Sequence, residues 1–222
     1  MSFARVFSAQ IDLLSGKIVS VEVDTARGLN NFTIVGLGDK AVTEARDRVG
    51  SALKNSGHES PKTKNQKTVV SLSPADLKKE GSHFDLSIAV GYLIAEGLQT
   101  ENLDKTLFVG ELGLDGTVRT VRGILPIVIA AKNEGFEEIF VPEKNAEEAS
   151  FVDGIAIFPI KTLNELIDHI EKEINLSKNS GQVNSELVQK KAKEKKVDID
   201  INHILKIDNE FHALSIQVQK RM

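Results

Sequence analysis

The stretch between residues 69 and 121 constrains the fold of this chain more than any other part of the sequence. It predicts a strand, a mostly apolar helix and a second strand, in that order, at residues 68–72, 84–96 and 107–112. Asp115-Gly116 then predicts a hairpin turn, and residues 117–121 predict the returning strand. A polar loop at 78–83 precedes the helix. Because functional groups are common in loops held by a rigid scaffold, this loop is the first place to look for chemistry.

The flanking segments predict a mixture of strands and helices. Apolar and β-branched runs predict further strands at 3–14, 18–23, 32–35, 138–141 and 155–158. Apolar residues at spacings of three and four predict helices at 40–55, 123–133, 143–150 and 162–174. Ser15-Gly16-Lys17 predicts the turn of an N-terminal hairpin, and Pro74 predicts a short helical turn at 74–77. This order predicts an α+β fold (mixed α/β), in which a mixed sheet packs against helices.

A change of composition at Asn175 predicts a domain boundary. Residues 1–174 have enough apolar side chains for one domain with its own core, whereas residues 175–196 are rich in Asn, Ser, Gln and Lys. Such a polar segment is typical of a linker. Residues 197–222 hold too few apolar residues for a second core and predict a short tail with one helix at 208–220.

Composition excludes several classes of protein. The absence of Cys excludes disulfides, thiolate nucleophiles and Cys-based zinc sites, and it fits a reducing compartment. The five His lack the spacing of metal ligands, so we predict no metal site. The net charge of −4 argues against nucleic-acid binding by the whole surface. The N-terminus shows no signal-peptide pattern, and no apolar run approaches the ~20 residues of a membrane span. We therefore predict a cytoplasmic protein without membrane contact.

Several motifs stand in the order that they have in one known family. They are, along the chain, Val35-Gly36-Leu37, Glu44-Ala45-Arg46-Asp47-Arg48-Val49, Leu72-Ser73-Pro74-Ala75-Asp76-Leu77-Lys78-Lys79-Glu80-Gly81, Phe84-Asp85-Leu86, Val109-Gly110-Glu111-Leu112 and Arg122-Gly123-Ile124-Leu125-Pro126. Over about residues 1–173 the chain resembles the ComM/YifB family of AAA+ ATPases, which are similar to the magnesium chelatase I subunit. The resemblance implies that residues 1–174 form the Lon-protease-like domain of that family.

The resemblance also implies where a proteolytic site would lie. Lon-type proteolysis needs a serine nucleophile in a turn at the start of a helix, with a lysine as its base. In the matching turn, Gly81 to Asp85, His83 or Phe84 stands near the nucleophile position, and Leu125 holds the position of the lysine. Leucine cannot take up a proton. We therefore predict no catalytic residue and interpret five positions as vestigial: Ser82, His83, Phe84, Asp85 and Leu125.

The ATPase signature of the family is missing from this chain. No Gly-x-x-x-x-Gly-Lys-Ser/Thr run occurs in the sequence, so we predict no cofactor here. ATP and Mg²⁺ are expected only in a missing ATPase module, of which residues 197–222 would be the truncated start. The leading hypothesis is a non-enzymatic domain of a protein of DNA recombination or transformation. The resemblance implies a homo-oligomer, a hexameric ring in the family, that helps to position DNA.

Two other functions stay open. A serine protease with a rearranged dyad would use Ser82 or Ser87 with Lys78 or Lys79, although lysines that precede the turn are expected to point to solvent. A stand-alone DNA-binding module would use a basic surface. Its candidate residues are Lys62, Lys64, Lys78, Lys79, Arg119 and Arg122.

The same residues also have plain structural interpretations. The lysines fit a solvated loop, as most charge runs do. Asp85 fits a helix cap, with His83 as an ordinary loop residue beside it. Arg46 and Arg48 lie two positions apart on the first helix, so they do not share a face. One of them is expected to pair with Glu44 or Asp47, as a structural or inter-subunit salt bridge.

Overall fold

A seven-stranded mixed sheet forms the centre of the described part of the chain. The computed structural model describes residues 2–79 and 81–179, without the side chains of Asp39 and of 173–179. The strands are β1 (Ser2–Asp12), β2 (Ser15–Arg27), β3 (Asn31–Val35), β4 (Gln66–Ser73), β5 (Thr106–Phe108), β6 (Glu111–Leu112), β7 (Val118–Arg119), β8 (Glu138–Pro142) and β9 (Ala156–Ile160). The helices are α1 (Asp39–Asn55), α2 (Asp85–Ala95), α3 (Ile124–Asn133), α4 (Ala146–Ala149) and α5 (Leu163–Asn179), with a 3₁₀ turn at Glu143–Asn145.

The order of the strands brings several loops to one edge of the sheet. The order is β3-β4-β2-β1-β5-β8-β9, and β2 runs antiparallel to both of its neighbours. The other six strands run in the same direction, so all six end at one edge, which we call the strand-end edge. The helices α1 and α2 begin just beyond it, after β3 and β4. Loops at this edge are the usual place for binding sites in such sheets.

Alternating side chains on the strands build two hydrophobic clusters, one on each face of the sheet. Val6 pairs with Val21 and belongs to the first cluster, which includes buried residues of α1, α2 and α5. Ala9 pairs with Ile18 and belongs with the second cluster, which includes buried residues of α3 and α4. The sheet is therefore covered by helices on both faces, and the predicted mixed α+β fold is confirmed.

The N-terminal hairpin turns earlier than the sequence predicted. Leu13 and Leu14 form its turn, with Leu13 at a positive φ of 57°, and β2 begins at Ser15. The prediction of a turn at Ser15-Gly16-Lys17 is therefore wrong. Gly16 lies in the strand because α3 packs directly against it: a Cβ at this position would stand 2.6 Å from the carbonyl oxygen of Pro126.

The predicted strand at 107–112 is two strands in two different sheets. β5 ends at Phe108, whereas β6 pairs with β7 in a separate two-stranded sheet. Between them, the N–H of Gly110 donates to the carbonyl of His83 at 3.1 Å, and its carbonyl accepts from Leu86 at 3.1 Å. These bonds draw the chain away from the main sheet toward the start of α2. The hairpin predicted at Asp115-Gly116 is confirmed, since it joins β6 to β7.

Residues 74–77 contain the predicted turn. One further boundary differs from prediction. The last helix, α5, continues to Asn179, beyond the predicted domain boundary at residue 174. The rest of the predicted linker and the tail at 197–222, with its predicted helix, lie outside the described residues.

Candidate functional site

Four of the predicted positions meet at the start of α2. Ser82 and His83 end the loop that follows β4, Phe84 is buried just before the helix, and Asp85 is the first helical residue. The bond from Gly110 to the His83 carbonyl joins this loop to the end of β5. The loop therefore sits at the strand-end edge, as the resemblance implied for a proteolytic turn.

Asp85 is held by Arg48 of α1 in a bidentate ion pair. Nε and Nη2 of Arg48 donate to the two carboxylate oxygens at 2.6 and 3.1 Å, and the N–H of Leu112 donates to Oδ2 at 3.3 Å. The carboxylate makes no capping bond to α2, so the interpretation as a helix cap is wrong. The predicted partner, Glu44, lies farther away, with its Oε2 at 3.8 Å from Nη1 of Arg48. Arg46 instead places its guanidinium over the ring of Phe32, at 5.9 Å from the centroid.

Burial dominates the electrostatics of this pair. Only 1% of Asp85 is exposed, and burial raises the pKa of its carboxyl to about 6, against the bonds from Arg48 and Leu112, which lower it. The pKa of Arg48 is raised, first by its bond to Asp85. Desolvation disfavours the ionised carboxylate, and the guanidinium offsets only part of that cost. The ion pair therefore joins α1 to α2, and the charge of the Asp85 carboxyl changes with pH near 6.

Ser82 has a carboxylate, not an amine, as its partner. Its hydroxyl donates to Oε2 of Glu111, and Nη1 of Arg119 approaches Oε1 of the same carboxylate at 3.4 Å. The hydroxyl of Ser87, the other candidate nucleophile, is fully buried and donates to the carbonyl of Phe84 at 2.8 Å. Neither hydroxyl proton is therefore directed at a lysine amine.

His83 follows Ser82 in the loop, and both nitrogens of its imidazole ring are buried. Among the described residues, neither Nδ1 nor Nε2 has a hydrogen-bond partner of normal geometry. Burial lowers the pKa of the ring, and the adjacent main chain of Arg122 opposes that shift. The imidazole is therefore neutral at neutral pH, and it makes no pair with Asp85, whose bonds go to Arg48 and Leu112.

Leu125 occupies the first turn of α3. Its side chain is half-buried against the second hydrophobic cluster, and its N–H donates to Oε1 of Glu148 at 3.2 Å. An aliphatic side chain packed in this way offers no proton acceptor. The place that the resemblance assigns to the lysine of the dyad thus holds a half-buried side chain that packs against the core.

Lys79 does not point to solvent, in contrast to the sequence expectation. Only 3% of the residue is exposed, and its ammonium donates to the carbonyls of Pro74 and, at 3.1 Å, of Leu77. Burial lowers its pKa. The loop is further fixed by Gln10, which donates to the carbonyl of Lys78 at 2.8 Å, and by a bridge between Leu37 and Lys79. Lys79 therefore holds its own loop together, and its inclusion in an exposed basic surface is wrong.

The remaining predicted cations do not form one surface. Lys62 contacts Asp47 at 2.6 Å, and Lys64 pairs with Glu96 and, at 3.0 Å, with Glu59. These lysines precede β4, whereas Lys78 follows it, and an eight-residue strand separates its ends by about 25 Å. The structure therefore divides the predicted set between opposite ends of β4.

A cleft of about 480 Å³ lies at the strand-end edge, between the start of α1 and the loop after β4. Lys40 and Lys78 line it and are exposed, together with backbone at Gly36, Gly38 and Gly81. Residue order alone does not single out Lys40, because it lies 38 positions from Lys78 and the pairing of β3 with β4 is what brings the two loops together.

Two negative findings apply to the part of the chain that the structure describes. No group of three or more His, Asp or Glu side chains is placed to hold a metal ion. None of the helices there has the length and apolar character needed to cross a bilayer.

Glu111 is the residue of this site that sequence reasoning missed. The sequence predicts it only as part of the strand at 107–112, yet its carboxylate accepts a hydrogen bond from Ser82, which lies 29 positions away. The preceding Gly110 is the one local signal, because a glycine inside a predicted strand can mark the place where the strand is interrupted.

Comparison with known proteins agrees with the motifs. A family model described as subunit ChlI of Mg-chelatase matches residues 21–145. Competence protein ComM of Haemophilus influenzae is 38% identical over 177 residues, which are 79% of this chain and 34% of that protein. Protein YifB of Escherichia coli is 42% identical over 137 residues, 61% of this chain and 26% of that protein.

Similarity to Lon proteases is weaker. Lon protease 2 of Bacillus subtilis is 29% identical over 99 residues, 44% of this chain and 18% of that protein. An uncharacterized protein of Mycobacterium tuberculosis is 44% identical over 167 residues, which are 75% of this chain and 33% of that protein. The chain therefore spans about a third of the length of this relative and of ComM. The chain belongs to the magnesium-chelatase-like ComM/YifB family and corresponds to the N-terminal Lon-like region of its members, as the matching family model, the similar relatives and the shared motifs show.

Proposed function

We propose that this chain is a non-catalytic Lon-like domain that supports assembly and helps to position DNA for an ATPase module. One observation carries the proposal. The position implied for the lysine base holds Leu125, which is packed against the core, and Ser82 is bonded to Glu111 instead. A site with neither an amine base nor a free serine hydroxyl lacks what Lon-type proteolysis needs.

Proteolysis assays on the full chain test this proposal. We expect no release of peptides from casein and no labelling by a fluorophosphonate probe, with Ser82→Ala as the matched control. Turnover or labelling that disappears in Ser82→Ala would contradict a non-catalytic role. Labelling that persists in the control would indicate a contaminating hydrolase.

A second candidate function follows from the bond between Ser82 and Glu111. A serine nucleophile with a carboxylate as its base would be an alternative to the rearranged Ser/Lys dyad. Glu111 has the required hydrogen bond, but it is also paired with Arg119, and a carboxylate stabilised by a cation is a poor general base. The geometry therefore favours a structural bond.

Glu111→Gln separates the two functions. If Glu111 only orders the loop, Glu111→Gln still folds, and the wild-type chain has no esterase activity. If Glu111 is a base, a measurable esterase activity on p-nitrophenyl acetate falls at least tenfold in both Glu111→Gln and Ser82→Ala. A similar loss of esterase activity in these two variants would favour a hydrolase over a non-catalytic domain.

DNA contact is assigned in this proposal to the strand-end edge. The side chain of Lys40 is 92% exposed there, with a carboxylate oxygen of Glu44 at 3.8 Å, and Lys78 lines the same cleft. Arg122 is also exposed at the start of α3, and Arg119 is bonded to Glu111. Lys62 and Lys64 precede β4 and so lie toward its opposite end, and they are not included.

A titration with duplex DNA at about 50 and 200 mM salt tests the DNA contact, because phosphate contacts release counterions. We expect binding that weakens with salt and falls at least tenfold in Lys40→Glu/Lys78→Glu. The matched control is Lys62→Glu/Lys64→Glu, which changes the charge by the same amount. Equal loss in both variants, or no binding at low salt, would contradict the assignment.

The same proposal includes the cellular setting. The sequence holds no phosphate-binding Gly-x-x-x-x-Gly-Lys-Ser/Thr run, so ATP and Mg²⁺ do not fit this chain and are assigned to the ATPase module. A cytoplasmic location is proposed, since the absence of Cys fits a reducing compartment. The protein is further proposed to act in recombination or transformation of DNA and to work as a hexameric ring.

A further inference from the structure

The segment 120–123, which joins β7 to α3, is fixed by a buried side chain from another element. Asn145 ends the 3₁₀ turn directly before α4, and only 6% of it is exposed. Its Oδ1 accepts from the N–H of Val121 at 3.0 Å, and its Nδ2 donates to the carbonyl of Val121 at 2.9 Å. One side chain thus satisfies both backbone polar groups of Val121, as a neighbouring strand would do.

Both neighbours of Arg122 are held in place. The side chain of Val121 is buried and belongs to the second hydrophobic cluster. Gly123, at a φ of 70°, lies so close to β1 that an added Cβ would overlap Cδ1 of Ile11. The main chain of Arg122 also lies beside the ring of His83, which puts this segment at the strand-end edge. The backbone that carries the Arg122 side chain is therefore fixed from both sides.

The side chain of Arg122 is exposed, and its charge is not paired. Within residues 2–79 and 81–179, its guanidinium has neither an ion pair nor a hydrogen bond. Arg48 and Arg119, at the same edge, are already paired with carboxylates. A guanidinium offers planar donors that match two oxygens of a phosphate. A group carried on a fixed backbone loses less conformational freedom when it binds, so the arrangement favours the capture of an anion.

We infer that Arg122 contacts the phosphate backbone of DNA and that Asn145 is the positioning residue that holds it for this contact. The inference rests on the proposed function and deepens its DNA contact, because it names the group on the DNA and the residue that prepares the protein for it. Asn145 acts through the main chain of Val121 and touches no DNA itself. Phosphate contacts carry no sequence information, so the contact is independent of base sequence.

Titrations of the full chain with duplex DNA at several salt concentrations test the contact. In Arg122→Ala we expect the affinity at about 50 mM salt to fall roughly fivefold, and the slope of log affinity against log salt to lessen by about 1, because one phosphate contact is lost. Arg122→Lys keeps the charge without the planar fork and is expected to lose less. The matched control is Arg27→Ala, which removes an exposed arginine at the opposite edge of the sheet, where β2 ends. Its affinity and slope are expected to equal those of the wild-type chain.

A double-mutant cycle tests the positioning role. Asn145→Leu removes both bonds to Val121 at similar side-chain volume, and Asn145→Ser is the milder variant if the leucine variant does not fold. We expect either variant to weaken DNA binding about threefold when Arg122 is present and to have no effect in Arg122→Ala, because the two residues act as one unit. A purely structural role of Asn145 would not depend on Arg122. Asn30→Leu is the control, since it removes an asparagine bond to the carbonyl of Lys64 at the opposite end of β4.

Three outcomes would contradict the inference. Binding by Arg122→Ala with the affinity and salt slope of the wild-type chain would overturn the phosphate contact. An equal loss of affinity from the Asn145 substitution with and without Arg122 would overturn the positioning role. A wild-type chain that binds no DNA at low salt would contradict the DNA contact of the proposed function, and this inference with it.

Discussion

At the scale of single residues, the ion pair of Arg48 and Asp85 makes the strongest prediction. Arg48→Met leaves a buried carboxylate without its counter-charge, so we expect the free energy of unfolding to fall by roughly 3 kcal/mol at pH 8. The cost is expected to be smaller at pH 5, where Asp85 carries a proton. Urea unfolding at both pH values measures this. Arg5→Met is the control, since the pair of Arg5 with Asp104 is about half exposed on both sides and is expected to contribute under ~1 kcal/mol.

The titration of Asp85 predicts a pH dependence of stability. Its folded-state pKa is raised from 3.8 to about 6, so the folded chain binds this proton more tightly than the unfolded chain between these values. The contribution to stability is present below pH 4 and is lost as pH rises through 6. Relative to Asp85→Asn, the wild-type chain is expected to lose about 2–3 kcal/mol between pH 4 and 7. An unchanged difference between the two proteins over this range would contradict the raised pKa.

At the scale of elements, the N-terminal hairpin depends on close contact with α3. Gly16→Ala would place a methyl group 2.6 Å from the carbonyl oxygen of Pro126 and 2.8 Å from Cβ of Ala130. We expect a loss of roughly 1–3 kcal/mol in thermal unfolding, because the helix or the hairpin must shift. Gly28→Ala serves as the control, since nothing lies within 4 Å of the added group. Equal melting temperatures for both variants would show that the hairpin packs more loosely than described.

At the scale of the whole molecule, the described residues contain both hydrophobic clusters. Within residues 2–79 and 81–179, the buried members of the two clusters lie between Ala4 and Ile170. We therefore expect a chain that ends at Asn179 to melt within about 2 °C of the full chain, a shift that corresponds to less than ~1 kcal/mol. A larger decrease would show that residues 180–222 contribute to the stability of the fold.

The local pattern of the sequence was sufficient for most of the elements. Apolar periodicity gave the positions of α1, α2 and α3 to within one residue at either end, because each helix buries one face or more along its own length. The predicted strand at 107–112 failed, since the bonds of Gly110 to the start of α2 divide it. The turn at Ser15-Gly16-Lys17 failed because α3, more than a hundred residues away, requires a glycine inside the strand.

The sequence alone determined the fold class, the family motifs and the presence of Leu125 at the position that the resemblance assigns to a lysine, since these are properties of residue order. Only the tertiary structure decided the partners of the polar groups. Asp85 meets an arginine 37 positions away, Ser82 meets a carboxylate 29 positions away, and the Lys79 ammonium is enclosed by its own loop. A hydrogen bond or ion pair depends on distances of about 3 Å, and chain order does not fix such distances between separate elements.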